Sequence, residues 1–458
     1  MRKDDCSVIV VGAGLAGLSA ATQLMTDGAK VTVIDARSRV GGRVFTVRDV
    51  FEQDQHAEAG GDFIDEEHQE IRRLAATYGL RLHRVVKKGF SFLRQGRPTN
   101  RRGQPVPSEQ AWTRIADLAA PFVRDFTLAE QRWDGAIGRS LASRSVAQWL
   151  DELGADQDLR AMVRSLRGFF LADPEDLSLL VLIDQLASEA PGRQAMYRIE
   201  GGNDRLPHAM ASVLKTALHL NTVAVAIRHD RSSVRLTVRD RSGEQAQFTS
   251  DYVIVTVPAT TLNVIDMQPA LPQEQAAAVS RLKYGRVTKS LLQFDRRFWR
   301  GNGRSRAYGT DRPIGAVWEA NEEQQGRAGI LTLMAGGQAS EETQALLARQ
   351  GVDSLVRSLD WLNPGPADLV KASSITWEDD PWARGGYAFF DPAYDPAWRA
   401  WLARPHGRIL FAGEHTSIKW QGYMNGAVET GLRAAAEVWA LRSRESRSRP
   451  ATRASTRK

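Results

Sequence analysis

Gly12-Ala-Gly14-Leu-Ala16-Gly17 has the spacing of a pyrophosphate-binding turn, and an acidic residue, Asp35, follows 18 positions beyond Gly17. Each part has a physical job. Gly12 allows a tight turn, Gly14 lets backbone approach the phosphates, and Gly17 lets a helix pack closely on a strand. A helix opening at Leu15-Ala16 would offer free N–H groups and a positive dipole end to an anion. The Asp35 carboxylate can accept hydrogen bonds from ribose hydroxyls. The chemistry is dinucleotide binding.

Such a glycine run is weak by itself, so the flanking elements decide. Val8–Val11 is a β-branched run that reads as a buried parallel strand. After the glycines, Leu18, Ala21 and Leu24/Met25 fall on one helical face, and Gly28 is a C-terminal stop. Lys30–Asp35 is the next strand. The pattern predicts a Rossmann-type βαβ unit.

Beyond Asp35, the stretch Ala36-Arg37-Ser-Arg39-Val-Gly41-Gly42-Arg43 resembles FAD-binding flavoproteins of the two-dinucleotide fold rather than an NAD dehydrogenase. The resemblance implies that Arg43 brings a guanidinium to the pyrophosphate. It also implies that Gly60-Gly61-Asp62 passes close to the flavin ring.

The C-terminal part makes the resemblance specific. Arg408–Ala412 reads as a last strand, ending at Gly413-Glu414 and then Gly422-Tyr423-Met424, with a helical pattern from about Met424 to Leu441. With Glu200–Asn203, Asp251–Pro258 and Tyr284–Trp299, these landmarks resemble the flavin-containing amine oxidase family. That family holds monoamine oxidases, polyamine oxidases and L-amino acid oxidases. The resemblance implies that Glu414 holds the ribityl and phosphate region, that the backbone at Met424 meets the pyrimidine edge, and that Ala224 meets the adenine. The register at Ala224 is open by one residue. Trp377 matches a tryptophan near the flavin, with a buried structural role the alternative.

Three further positions carry the implied chemistry. Lys289 matches the lysine that holds a water against flavin N5, and burial would lower its pKa. Tyr387 and Tyr423 match the two walls of an aromatic cage, whose ring faces suit an amine. Gly386 stands where the mitochondrial monoamine oxidases carry the cysteine that binds FAD covalently, so the expected attachment is non-covalent. A histidyl link through His56 has no support.

The expected fold is α/β, a discontinuous Rossmann-type FAD-binding domain (1–85, 196–270, 406–441) with a mixed α+β substrate domain (86–195, 271–405). Asp173-Pro174 reads as the opening of a helix that continues through Leu177–Leu186. Ser145-Val-Ala-Gln148 reads as a capping box. Gln95–Pro107 reads as a mobile loop.

Composition limits the alternatives. The chain has 458 residues, 42% hydrophobic and 25% charged, with a single cysteine, Cys6. An intramolecular disulfide is impossible, no run is apolar enough to span a membrane, and a cytoplasmic location is expected. The net charge of +7 is concentrated after Leu441, where seven basic residues meet one acidic residue. This tail, 442–458, is expected to be disordered and solvated rather than to bind nucleic acid. A homodimer is an open expectation.

The leading expectation is oxidation of a primary or secondary amine, with molecular oxygen as the second substrate and hydrogen peroxide as a product. The alternative is an L-amino acid oxidase, which needs a cavity arginine for the carboxylate. Arg164, Arg167, Arg304, Arg306 and Arg312 are all candidates. More distant alternatives are a carotenoid- or porphyrinogen-type desaturase, and a non-catalytic FAD-binding interaction protein.

Overall fold

The computed structural model describes residues 6–87, 89–93, 110–188, 195–300, 307–365 and 368–448. Ser7–Val11, the predicted first strand, sits in a five-stranded parallel sheet, flanked by Lys30–Ile34 and Tyr252–Val255. Leu218–His219 and Ile409–Phe411 form the two edges. The centre of this sheet is covered on both faces, which is why Val8–Val11 is apolar without alternation.

The helix Leu15–Thr26 follows the first strand and buries Leu18, Ala20, Ala21 and Leu24. The last helix, Met424–Ser448, packs along it. Gly431 permits the approach, since a Cβ there would lie 2.2 Å from the Ala16 carbonyl oxygen. The two ends of the chain therefore meet at the carboxyl edge of the sheet, where open α/β sheets bind ligands.

A second sheet has six strands in the order Leu369–Thr376, Val287–Phe294, Gly329–Gly336, Ala316–Glu319, Ala307–Thr310 and Phe90–Leu93. It is antiparallel except for its last pair. Every residue of Val287–Phe294 is buried, so this strand places Lys289 inside the protein.

Two expectations change. Asp173–Asp176 forms a turn, and the helix starts later, at Leu179. The Asp173 carboxylate caps elsewhere, accepting the Gln338 N–H at 2.7 Å. The last helix runs past Leu441 to Ser448, so the first part of the predicted tail is helical. Ion pairs hold it there: Glu445 meets Arg408 at 2.8 Å and Arg442 meets Asp251 at 3.8 Å. The rest of that tail and the loop Gln95–Pro107 lie outside the described residues. Ser145 does form a full capping box with Gln148.

Candidate active site

One cavity of about 870 Å³ joins the predicted positions. From the first βαβ unit it takes Gly12, Gly14, Ala16, Asp35, Ala36, Arg37, Gly42 and Arg43. Gly60, Gly61, Asp62, Ala224, Lys289, Trp377 and Tyr387 follow, then Gly413, Glu414, Gly422, Tyr423 and Met424. Gly17 alone among the predicted residues does not line it.

Gly17 has a packing role instead. A Cβ there would lie 1.8 Å from the Gly12 carbonyl oxygen, while one at Gly14 would meet nothing within 4 Å. Gly12 itself sits at φ +112°, a conformation that disfavours side chains. The helix beginning at Leu15 has no side-chain cap, so its first N–H groups remain free toward the cavity. A helix start of this kind can receive an anion.

Asp35 is buried, and burial raises its pKa while backbone N–H groups pull it back. Its two oxygens accept the Ala13 and Arg37 N–H groups at 2.7 and 2.8 Å. Each oxygen keeps a second acceptor direction for a ribose hydroxyl. Of the residues within one position of Ala224, Val223 lines the cavity beside it and Val225 does not.

Glu414 and Arg43 are tied to each other at 3.1 Å. Arg43 also donates to the Gly386 carbonyl at 2.5 Å, and Glu414 accepts the Gly422 N–H at 2.9 Å. The pair thus braces the loop that carries Tyr423.

Lys289 is buried and donates to the Asp62 carboxylate at 2.8 Å and to the Gly60 carbonyl at 3.0 Å. Burial lowers its pKa, and Asp62 opposes that shift. Asp62 is a hub that also accepts from Arg198 at 2.6 Å and from the Trp318 indole at 3.1 Å. Its side chain is thereby committed to this network, whereas the resemblance had grouped it with the cofactor residues. Glu58, in the same cluster, is pushed up to about 8 by burial and the Asp62 charge.

Tyr387 donates its hydroxyl proton to the Phe169 carbonyl, and burial raises its pKa. Its ring lies against Gly422, where a Cβ would come within 3.3 Å of it. Tyr423 packs on the His68 ring at 4.9 Å. Trp377 is buried, donates to the Ala59 carbonyl at 2.9 Å, and lines the cavity.

A family model described as flavin containing amine oxidoreductase matches residues 15–439. The chain belongs to the flavin-containing amine oxidoreductase family. It is 26% identical over 469 residues to an L-amino-acid oxidase of Bungarus fasciatus, covering 94% of this chain and 86% of that one. It is 29% identical over 451 residues to AofH of Mycobacterium tuberculosis, whose name marks it as a proposed flavin-containing monoamine oxidase, covering 95% and 96%. Among solved structures, cyclohexylamine oxidase of Brevibacterium oxydans IH-35A superposes with TM-score 0.81 at 24% identity, covering 96% and 100%. A putrescine oxidase bound to putrescine gives the same TM-score and identity, covering 95% and 99%. The protein is an oxidoreductase of this flavin family, and among the described residues no helix is long and apolar enough to cross a membrane.

Sequence reasoning missed two residues. His68 supports Tyr423 from behind, and burial pulls its pKa down to about 4. Arg399 lines the cavity together with Trp133, Asp184 and Phe390. Neither carries a local signal, because each is placed by packing between distant segments. Of the arginines considered from sequence, Arg164, Arg167 and Arg312 do not line the cavity. They are held by Glu175, Asp173 and Asp360 respectively. Arg304 and Arg306 lie outside the described residues.

Proposed function

We propose that the protein oxidises the C–N bond of an amine-bearing substrate, using FAD held non-covalently. The supporting observation is the convergence of Lys289, Tyr387 and Tyr423 on the cavity that also contains the free helix N-terminus at Gly14. The stretches 1–85, 196–270 and 406–441 would hold the cofactor, and 86–195 and 271–405 the substrate.

Bound flavin would supply a two-electron acceptor, taking hydride from the carbon that bears nitrogen and passing the electron pair to oxygen, which leaves as hydrogen peroxide. The protein's residues orient the substrate. Tyr387 and Tyr423 would present their ring faces to the amine and orient its nitrogen with the lone pair directed away from them. Lys289 spends two of its three N–H donors on Gly60 and Asp62, which leaves one for a water beside the glycine pair. No protein acid or base is needed beyond loss of the substrate's own proton. The rate should therefore rise along a limb that follows substrate deprotonation. The imine product hydrolyses to a carbonyl compound and ammonia.

Non-covalent attachment is supported at Gly386. A Cβ there would come within 2.4 Å of Leu171 Cδ1 and 2.8 Å of Val287 Cγ1, so a thiol has little room. Cys6 is buried in another part of the core, and His56 does not line the cavity.

Anaerobic mixing with a panel of amines and amino acids tests the reading. Bleaching of the flavin absorbance by at least one member, with peroxide formed on admission of air, is expected. Flavin-loaded protein that stays oxidised with the whole panel would refute it.

A further inference from the structure

We propose that a groove outside the active-site cavity, walled by Arg39, Arg239 and Arg241, binds the phosphate chain of a small polyphosphate ligand. The site is independent of the amine-oxidising reading, and its test does not depend on turnover.

The groove holds about 630 Å³ between three separate segments. Residues 36–39 form one wall, just beyond Asp35. The end of the strand Val234–Arg239 and the turn after it form the second wall, and residues 380–382 the third. Ala36, Arg37, Val223 and Trp382 line both this groove and the active-site cavity, so the two spaces share a wall. Arg39, Arg239 and Arg241 line the groove and not the cavity.

The charges around the groove do not balance. Four arginines line it against two aspartates, and both carboxylates are already engaged. Asp380 pairs with Arg37 at 2.5 Å and accepts the Trp382 N–H at 2.8 Å. Asp240 accepts the Ser242 and Glu244 N–H groups of its own turn at 2.8 and 3.0 Å. Among the described residues, Arg39, Arg239 and Arg241 form no ion pair. Arg239 and Arg241 are exposed at the end of their hairpin, open to an incoming ligand. Arg39 is half-buried, with its guanidinium 4.4 Å over the Phe45 ring and one bond to the Val40 carbonyl at 3.2 Å. Burial and the neighbouring Arg37 charge lower its pKa. The fold therefore holds like charges around one concavity with no anion opposite them. Such a cleft concentrates positive potential, and an anion inside it relieves the repulsion.

The number and type of donors define the ligand. A carboxylate answers one guanidinium fork. A polyphosphate spreads its charge over several oxygens and can answer three, which suits the planar donor array of arginine. Trp382, on the shared wall, gives a nucleotide an aromatic surface for its base.

The test is calorimetric titration of the full-length, flavin-loaded protein at low salt with ATP, inorganic tripolyphosphate, adenosine and acetate. ATP and tripolyphosphate should bind, adenosine and acetate should not, and affinity should fall as salt rises. Tighter binding of ATP names a nucleotide as the source, and equal affinity a free polyphosphate; both support the site. Arg239→Ser with Arg241→Ser should weaken binding on the order of 100-fold. Flavin absorbance and anaerobic bleaching should stay unchanged, since neither arginine lines the active-site cavity. Each single substitution should give an intermediate loss, which decides the matter if the double variant folds poorly. No binding of either polyphosphate would overturn the proposal. So would undiminished binding in the double variant, which would put the ligand on other basic residues such as those after Leu441. Release of flavin by the added polyphosphate would also overturn it, by showing competition for the cofactor's own site. A single-stranded oligonucleotide that binds more tightly than ATP through the same two arginines would assign the groove to nucleic acid instead.

Discussion

The two ends of the cavity are built by different means. At the dinucleotide end the contacts are mostly backbone: the turn at Gly12, the open approach at Gly14, and the uncapped helix start. At the substrate end they are side chains from distant segments, Trp133, Asp184, Arg399 and Tyr387, brought together by packing. At Gly12 and Gly17 the backbone end has no room for added atoms, but it makes few demands on neighbouring side chains. Side-chain sites tolerate substitution of the fold around them but lose specificity when one partner changes.

The sharpest way to break that contrast is at Gly17. Gly17→Val places atoms against the Gly12 carbonyl and should abolish flavin retention and lower the melting temperature severely, a loss of about 3 kcal/mol or more. Absorbance of the purified protein and a thermal melt check it. A variant that keeps flavin would show that the backbone end is more pliable than argued.

Lys289→Met tests the junction between the two ends. It removes a donor to Gly60 and Asp62 while Arg198 still balances Asp62. Flavin should stay bound, and the anaerobic reduction rate should fall on the order of 100-fold. Stopped-flow absorbance reads both.

The third effect is acid sensitivity. His415 and His68 are each pulled down to about 4 by burial, from an ordinary value of 6.5. The unfolded chain takes up these protons first, so stability present above pH 6.5 is lost as pH falls toward 4. Each contributes on the order of 3 kcal/mol at full extent. His415→Leu should move the midpoint of acid unfolding to lower pH, measured by circular dichroism. Asp65, beside His68 and raised to about 6 by burial, works in the opposite direction and softens the His68 limb.

The smallest effect is expected at the cage. Tyr387→Phe keeps the ring against Gly422 and loses only the hydroxyl bond to the Phe169 carbonyl. Reduction should slow by about three- to tenfold, within the worth of one hydrogen bond. A larger loss would mean that the hydroxyl, not the ring, does the orienting.

Much of the fold was legible. The β-branched run Val8–Val11 and the 3.6-residue pattern from Leu15 identified the βαβ unit because local period and burial agree there. The helix start at Asp173 was misread. Its capping signals were real, but tertiary contact diverted the carboxylate to the Gln338 N–H. The early end given to the last helix was also wrong, because Glu445 and Arg442 find partners on other elements.

The sequence by itself determined the glycine turn, helix and second strand of a dinucleotide-binding type of unit at Gly12–Asp35, and its resemblance indicated flavin. These features are local: a glycine at a forced backbone angle or a helix start needs only its neighbours in the chain. Only the tertiary structure decided that Lys289 is buried against Asp62, and that Arg399 rather than Arg164, Arg167 or Arg312 reaches the cavity. An arginine's partners come from segments far away in the chain, so its charge can be paired, exposed or left unmet without any change in the residues beside it.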